Sequence, residues 1–328
     1  MRTQMGRNRA TMRAVYELEV SAMLNPIRFD GRLCLVRLVC VAASCLLVPG
    51  ALAHPGSGIG VDRQGRVFFV DTGEGVWVIG VEGRVERHAG PAFHWMALDA
   101  ASGFGETRLP RLPAAEMTAV GRDPMVLLSS DFPIAVGSDG ALYFPEPRDE
   151  DAQRMVRVAP SGERSDFAVL PAESDGAPLR WLNGVAAAAD GSIYYAENAS
   201  VRRIDAGGAI ATVAAGIEVP DCERPPGMPP ELGPLLRGLA VTGDGTVYVA
   251  ASGCSAVLRI GAGGEVTPVL RATPPWAPTG VAVHGDEVYV LEYLHTENAV
   301  DRREWIPRVR KLAADGTVTL LATVERAP

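Results

Sequence analysis

Four carboxylates stand at matching places in this chain, each closing a short β-rich run. Asp71 follows Val67-Phe68-Phe69-Val70, Glu146 lies just past Leu142-Tyr143-Phe144, Glu197 follows Ile193-Tyr194-Tyr195-Ala196, and Glu292 follows Val288-Tyr289-Val290-Leu291. His94, Asn183, Arg237 and His295 fall near equivalent boundaries. Carboxylates, imidazoles and a guanidinium brought together are the groups of general acid–base catalysis and of charged-ligand recognition. Each also has a plain structural use. An acid at a strand end accepts hydrogen bonds from loop amides, and an Asn before Gly tolerates an unusual turn backbone. Arg237 is harder to place as structure alone, because a buried guanidinium requires a carboxylate or an anionic ligand. His88 reads as ordinary surface. No Gly-x-Ser-x-Gly, Gly-x-Gly-x-x-Gly or Gly-Lys-Ser/Thr signature occurs after residue 53, so the common serine-hydrolase, dinucleotide and P-loop chemistries have no motif here.

The elements that must position these groups recur. A small or apolar start leads into aliphatic residues, then an Asp-Gly turn, then a β-rich stretch ending in an acid. Blade-like units begin around Ile59, Met96, Ile134, Val185, Leu239 and Val281, with turns at Asp139-Gly140, Asp190-Gly191 and Asp244-Gly245. The second unit lacks the Asp-Gly turn. Repeats of this length and turn chemistry are four-stranded antiparallel sheets. The expected fold is all-β, a six-bladed β-propeller of four-stranded antiparallel blades over residues 54–328.

Strand order sorts the residues by face. The starts of first strands, the ends of second strands and the connections between blades share one face, and the short Asp-Gly turns lie on the other. All the long insertions, residues 100–131, 146–153, 217–236 and 293–307, fall on the first face, which is where binding is expected. Its innermost positions are Ser57, His94, Phe132, Asn183, Arg237 and Thr279. Behind them come Asp71, Glu146, Glu197, Glu292 and His295. Trp95, Trp181, Trp276 and Trp305 read as packing between blades.

The repeat resembles that of NHL-repeat propellers and, more loosely, of the regucalcin–gluconolactonase-like and strictosidine-synthase-like six-bladed propellers. That resemblance implies a metal-assisted small-molecule hydrolase of lactonase type, with a non-catalytic binding propeller as the alternative. It also implies a divalent metal, calcium or zinc, at the channel mouth. Asn183-Gly184 matches the family's Asn-Gly segment, with Glu197 and Asp71 as further candidate ligands. Ser57 stands where the family's first Glu is expected, and Arg237 or Thr279 where its Asp is expected. In the catalytic reading His94, Arg237 and Glu292 act on the substrate while Glu146 and His295 bind it. Lyases on this scaffold use histidine-bound zinc, for which His54, His94 and His295 are the available imidazoles, and His54 could also bind copper as a mature N-terminus.

Arg28 and Arg32 precede an apolar run, Leu38–Val48, followed by Pro49-Gly50 and Ala51-Leu52-Ala53. These are the parts of a signal peptide rather than of a membrane span, so residues 1–53 are read as an N-terminal extension and leader, and the protein as secreted or periplasmic. Cys222 and Cys254 are the two cysteines after the leader, and a disulfide between them is expected in an oxidising compartment. A net charge of −8 with interspersed signs speaks against nucleic acid as a partner. A small-molecule ligand, no integral membrane span and a monomeric state complete the expectations.

Overall fold

At the Asp190-Gly191 turn, Asp190 Oδ1 accepts the Ser192 N–H at 2.9 Å and Gly191 adopts φ +83°, a conformation that a Cβ would oppose. The same aspartate contact recurs at Asp139 with Ala141 and at Asp244 with Thr246. Each turn folds one strand back on the last, so a stretch of local sequence becomes an antiparallel sheet. The computed structural model describes residues 55–104, 117–130, 132–147, 153–170, 182–295 and 304–326. The chain divides into two compact units, Met1–Ala51 and Leu52–Pro328, and every described residue belongs to the second.

That unit is a six-bladed β-propeller. Blade four is representative: Gly184–Ala187, Ile193–Glu197, Ser200–Ile204 and Ile210–Ala214 pair in sequence order. Blades one, three, five and six have the same order, with inner strands Ile59–Val61, Ala135–Val136, Leu236–Val241 and Trp276–His284. Blade two departs. Its inner strand Trp95–Asp99 pairs with Met125–Ser129, and Met117–Val120 lies outside that. Without an Asp-Gly turn the chain does not return directly beside its inner strand. The middle place is filled by a later strand, giving three strands among the described residues.

Second strands are buried on both faces, which is why they read as apolar runs: every residue of Val67–Asp71 and Ile193–Glu197 is buried. Their side chains build an apolar cluster at each of the six seams. Met155 and Leu170, for example, pack on Tyr195 and Ile204, and Ala250 and Val257 on Val281 and Val290. The ring closes where Val67, Phe69 and Ile79 of blade one meet Leu291, Tyr293, Trp305 and Val309 of blade six. Each described blade is contiguous in sequence, so side chains rather than a shared strand make this closure. Tyr293 Oη donates to the Val70 carbonyl at 2.6 Å, and Arg326 grips both oxygens of Asp71 at 2.5 and 2.7 Å.

Inner strands converge tightly at the mouth. A Cβ on Gly280 would lie 2.3 Å from the Ser57 carbonyl oxygen, and one on Gly184 would lie 2.5 Å from that of Arg237. The residue-then-glycine pattern of Asn183-Gly184, Arg237-Gly238 and Thr279-Gly280 therefore reflects neighbouring backbones in contact. It places the residue before each glycine at the rim of the channel.

Candidate functional site at the channel mouth

Four of the six innermost residues form a continuous polar arc over blades five, six, one and two: Arg237, Thr279, Ser57 and His94. The contacts run from one blade to the next. The space beside Gly238 is filled by Gly280 and the Thr279 carbonyl, and that beside Gly280 by the Ser57 carbonyl. The N–H of Ser57 donates to the His94 carbonyl at 2.7 Å. Arg237 Nη2 donates to the Pro55 carbonyl at 2.6 Å. Phe132 completes another part of the rim by stacking on Phe144 at 5.2 Å, and Asn183 is half-buried.

The segment that carries Ser57 is pinned by a short chain of hydrogen bonds. The Gly56 N–H donates to Thr72 Oγ1 at 2.7 Å, and Thr72 Oγ1 donates to Tyr293 Oη at 3.2 Å. Burial raises the Tyr293 phenol above its ordinary pKa, keeping it a neutral hydroxyl. Burial lowers Arg237 to about 10. His295, whose backbone N–H donates to the Pro275 carbonyl at 2.7 Å, has its imidazole lowered to about 4 by burial and by the positive charge of Arg237. It is a neutral imidazole at neutral pH.

His94 Nδ1 lies 2.5 Å from the Ser130 carbonyl oxygen. A carbonyl only accepts, so Nδ1 carries the proton and Nε2 is the basic nitrogen. His94 is also among the residues around an open hollow of about 620 Å³ between blades one and two, with Phe93, Val120, Leu128, Ser129 and Ser130. His94 thus sits where this largely apolar cavity meets the polar arc.

No family model matches the chain, and no curated protein does. Among solved structures, the luciferin-regenerating enzyme matches with a TM-score of 0.51 at 14% identity, over 84% of this chain and 94% of that one. The two share a fold. A gluconolactonase from Xanthomonas campestris gives a TM-score of 0.48 at 16% identity, covering 73% of this chain and 83% of its own. Streptogramin B lyase gives 0.47 at 14% identity, covering 84% of each.

The carboxylates behind the rim are held by arginines. Glu146 accepts from Arg154 at 2.7 Å and from Arg164, both partly exposed. Glu197 accepts from Arg202. Glu292, fully buried, accepts from Arg308 at 2.5 Å and from Arg310. Asp71 is held by Arg326. For Arg154 and Arg308 the cause is register, since they stand directly opposite Glu146 and Glu292 on the third strands of their blades. The sequence reading missed these arginines, although counting back across the hairpins would have found the first of them.

This donor set does not fit the metal that the resemblance implies. Asp71 and Glu197 lie on blades one and four, across the ring from each other, and each is bound to a guanidinium. Among the described residues no group of three His, Cys, Asp or Glu side chains is placed to hold an ion. The rim position expected to carry an aspartate is Arg237, a cation, or Thr279. His54, Trp181 and the leader lie outside the described residues.

Other expectations resolve individually. Trp95 and Trp305 are buried in the seams, whereas Trp276 is partly exposed and stacks under Arg308 at 3.9 Å. His88 is half-buried, edge-on to Phe68 at 5.2 Å. The Cys222–Cys254 disulfide is present. It ties the 217–235 connection to blade five, where Arg224 Nη1 also bridges the carbonyls of Gly233 and Gly253. Among the described residues no helix is long and apolar enough to cross a membrane.

Proposed function

We propose that the protein is an exported small-molecule hydrolase whose substrate lies between the cavity of blades one and two and the polar arc of the mouth. The observation that carries this reading is His94. Its Nδ1 is anchored on the Ser130 carbonyl, which leaves Nε2 as the nitrogen that can take up a proton, and the residue stands where an open, largely apolar hollow borders polar groups. In an ester or lactone, Nε2 takes a proton from water while the water oxygen bonds to the carbonyl carbon. Collapse of the tetrahedral adduct breaks the acyl C–O bond, and the departing oxygen takes the proton back from the imidazolium.

A panel of simple esters and lactones tests the reading. His94→Gln, which keeps a polar side chain of similar reach but no base, is expected to lower kcat/KM by about a hundredfold or more while the melting temperature stays near that of the wild type. Equal turnover by the folded variant would sink the assignment.

A second reading, a non-catalytic binding propeller, is favoured by one observation: the acids behind the rim are engaged by arginines and so withdrawn from acid–base work. Ligand binding without turnover across the panel would select it. Export is supported by the disulfide and the leader-like run before residue 54. Protein alkylated directly in intact cells is expected to leave Cys222 and Cys254 unmodified, and labelling of both as thiols would count against export.

A further inference from the structure

The apolar seam between blades one and two runs into the open hollow of about 620 Å³, and Val120 and Leu128 belong to both. The hollow crosses the blade. His94 and Ser130 border it at the rim, Leu128 borders it from the strand Met125–Ser129, and Thr118 and Val120 from Met117–Val120, the outermost strand of blade two among the described residues. Residues 90–93, the connection from blade one, border it as well. Two strand spacings, about 10 Å, separate the inner strand from the outermost one. Among the described residues that surround the hollow there is no Asp, Glu, Lys or Arg. Another hollow, of about 370 Å³ beside blade one, is bordered instead by Arg66, Glu82, Arg84, Glu86 and Asp123. Concavity alone therefore does not impose uncharged walls on this protein. An ion entering the larger hollow would lose water without meeting a counter-charge.

We propose that this hollow binds the uncharged, apolar tail of a small ligand, an alkyl chain that runs outward from the rim across blade two. Its size lies within the range of small-molecule sites, and its aliphatic walls with a few hydroxyls suit such a chain. The driving force is removal of the tail from water, which grows with each methylene that the walls cover. The ligand's polar head stays at the rim beside His94, where the hollow meets polar groups. The proposal thus names a substrate class for the hydrolase reading, esters or lactones with a neutral alkyl substituent, and rests on that reading for the tail's being part of a substrate. Its test reads binding of compounds without an ester bond, so either can fail alone.

The test is titration calorimetry of the full-length protein with N-butyl-, N-hexyl- and N-octylacetamide. The affinity is expected to rise about three- to fourfold per added methylene, or roughly tenfold for each two-carbon step. The heat-capacity change of binding should become more negative along the series. The compound 6-acetamidohexanoate matches N-hexylacetamide in length but ends in a carboxylate, and it should bind at least about tenfold more weakly. Thr118 is exposed, so Thr118→Asp is expected to fold while placing a charge at the outer end of the hollow. It should weaken N-octylacetamide by about tenfold and leave N-butylacetamide nearly unchanged. The proposal is overturned if the octyl compound does not bind, or if affinity is flat along the series. It is equally overturned if 6-acetamidohexanoate binds as tightly as N-hexylacetamide, or if Thr118→Asp leaves N-octylacetamide unaffected, since the tail would then lie elsewhere.

Discussion

Arg326→Ala is expected to lower stability by about 3–5 kcal/mol at neutral pH, the range for removing one partner of a buried ion pair. For a propeller of this size that corresponds to a fall in melting temperature of roughly 6–20 °C. Asp71 is fully buried, and Arg326 supplies both of its charged contacts while also donating to the Trp305 carbonyl at 2.6 Å. The pair lies on the seam between first and last blades, where ring closure depends on side chains. The pH dependence follows in sign. Burial holds the Asp71 carboxyl above its ordinary pKa even with Arg326 present, and the Arg326 hydrogen bonds and charge pull it partly back. Without Arg326 the folded-state pKa rises further. An acid with a raised folded pKa favours folding when protonated and loses that advantage as pH rises through its unfolded pKa toward the folded one. The gap between wild type and Arg326→Ala should therefore be widest at neutral pH and shrink in acid, near pH 4 and below. Asp71→Asn combined with Arg326→Met should recover part of the loss, since no buried charge is left unpaired. A single variant melting within about 2 °C of the wild type at neutral pH would show that water reaches Asp71 and compensates it.

Cys222→Ser with Cys254→Ser is expected to cost about 3–4 kcal/mol, from the chain entropy released when a bridge over 32 residues is removed. The melting temperature should fall by roughly 6–16 °C. Reductant should lower that of the wild type to a similar value and leave the double variant unchanged. The bridge holds an irregular connection rather than a strand. Ile217 and Val219 anchor the start of that connection in the seam between blades four and five, and the disulfide fixes its middle. The connection leads directly into Leu236 and Arg237, so its tether also restrains the approach to the mouth. A double variant as stable as the wild type would mean that the Arg224 contacts and the apolar anchors suffice.

Much of the architecture was legible because its causes are local. An aspartate that caps its own turn and a glycine with positive φ act within four residues, so Asp139-Gly140, Asp190-Gly191 and Asp244-Gly245 announce hairpins wherever they occur. Two-sided burial writes apolar runs such as Val67-Phe68-Phe69-Val70 directly into the chain. The missing turn in blade two marked the one blade whose strand order departs, though not the order it takes. The disulfide followed from there being two cysteines beyond the leader-like segment.

The site was legible only in part. Sorting by face placed Arg237, Thr279, Ser57 and His94 on one rim, because strand direction alternates predictably. It could not show which rim acids are available for chemistry. Asp71 and Glu197 read as metal ligands and Glu292 as a catalytic residue, yet each meets an arginine, which for Glu292 is set opposite by strand register and for Asp71 comes from a residue more than 250 positions away. The cavity beside His94 likewise depends on how blades one and two pack. The sequence by itself determined the repeat, its turns and the face each residue takes, since these arise from interactions a few residues apart. Which charges meet, and which polar groups are buried without partners at the mouth, was decided only when six sheets closed into a ring, because those distances belong to the ring as a whole.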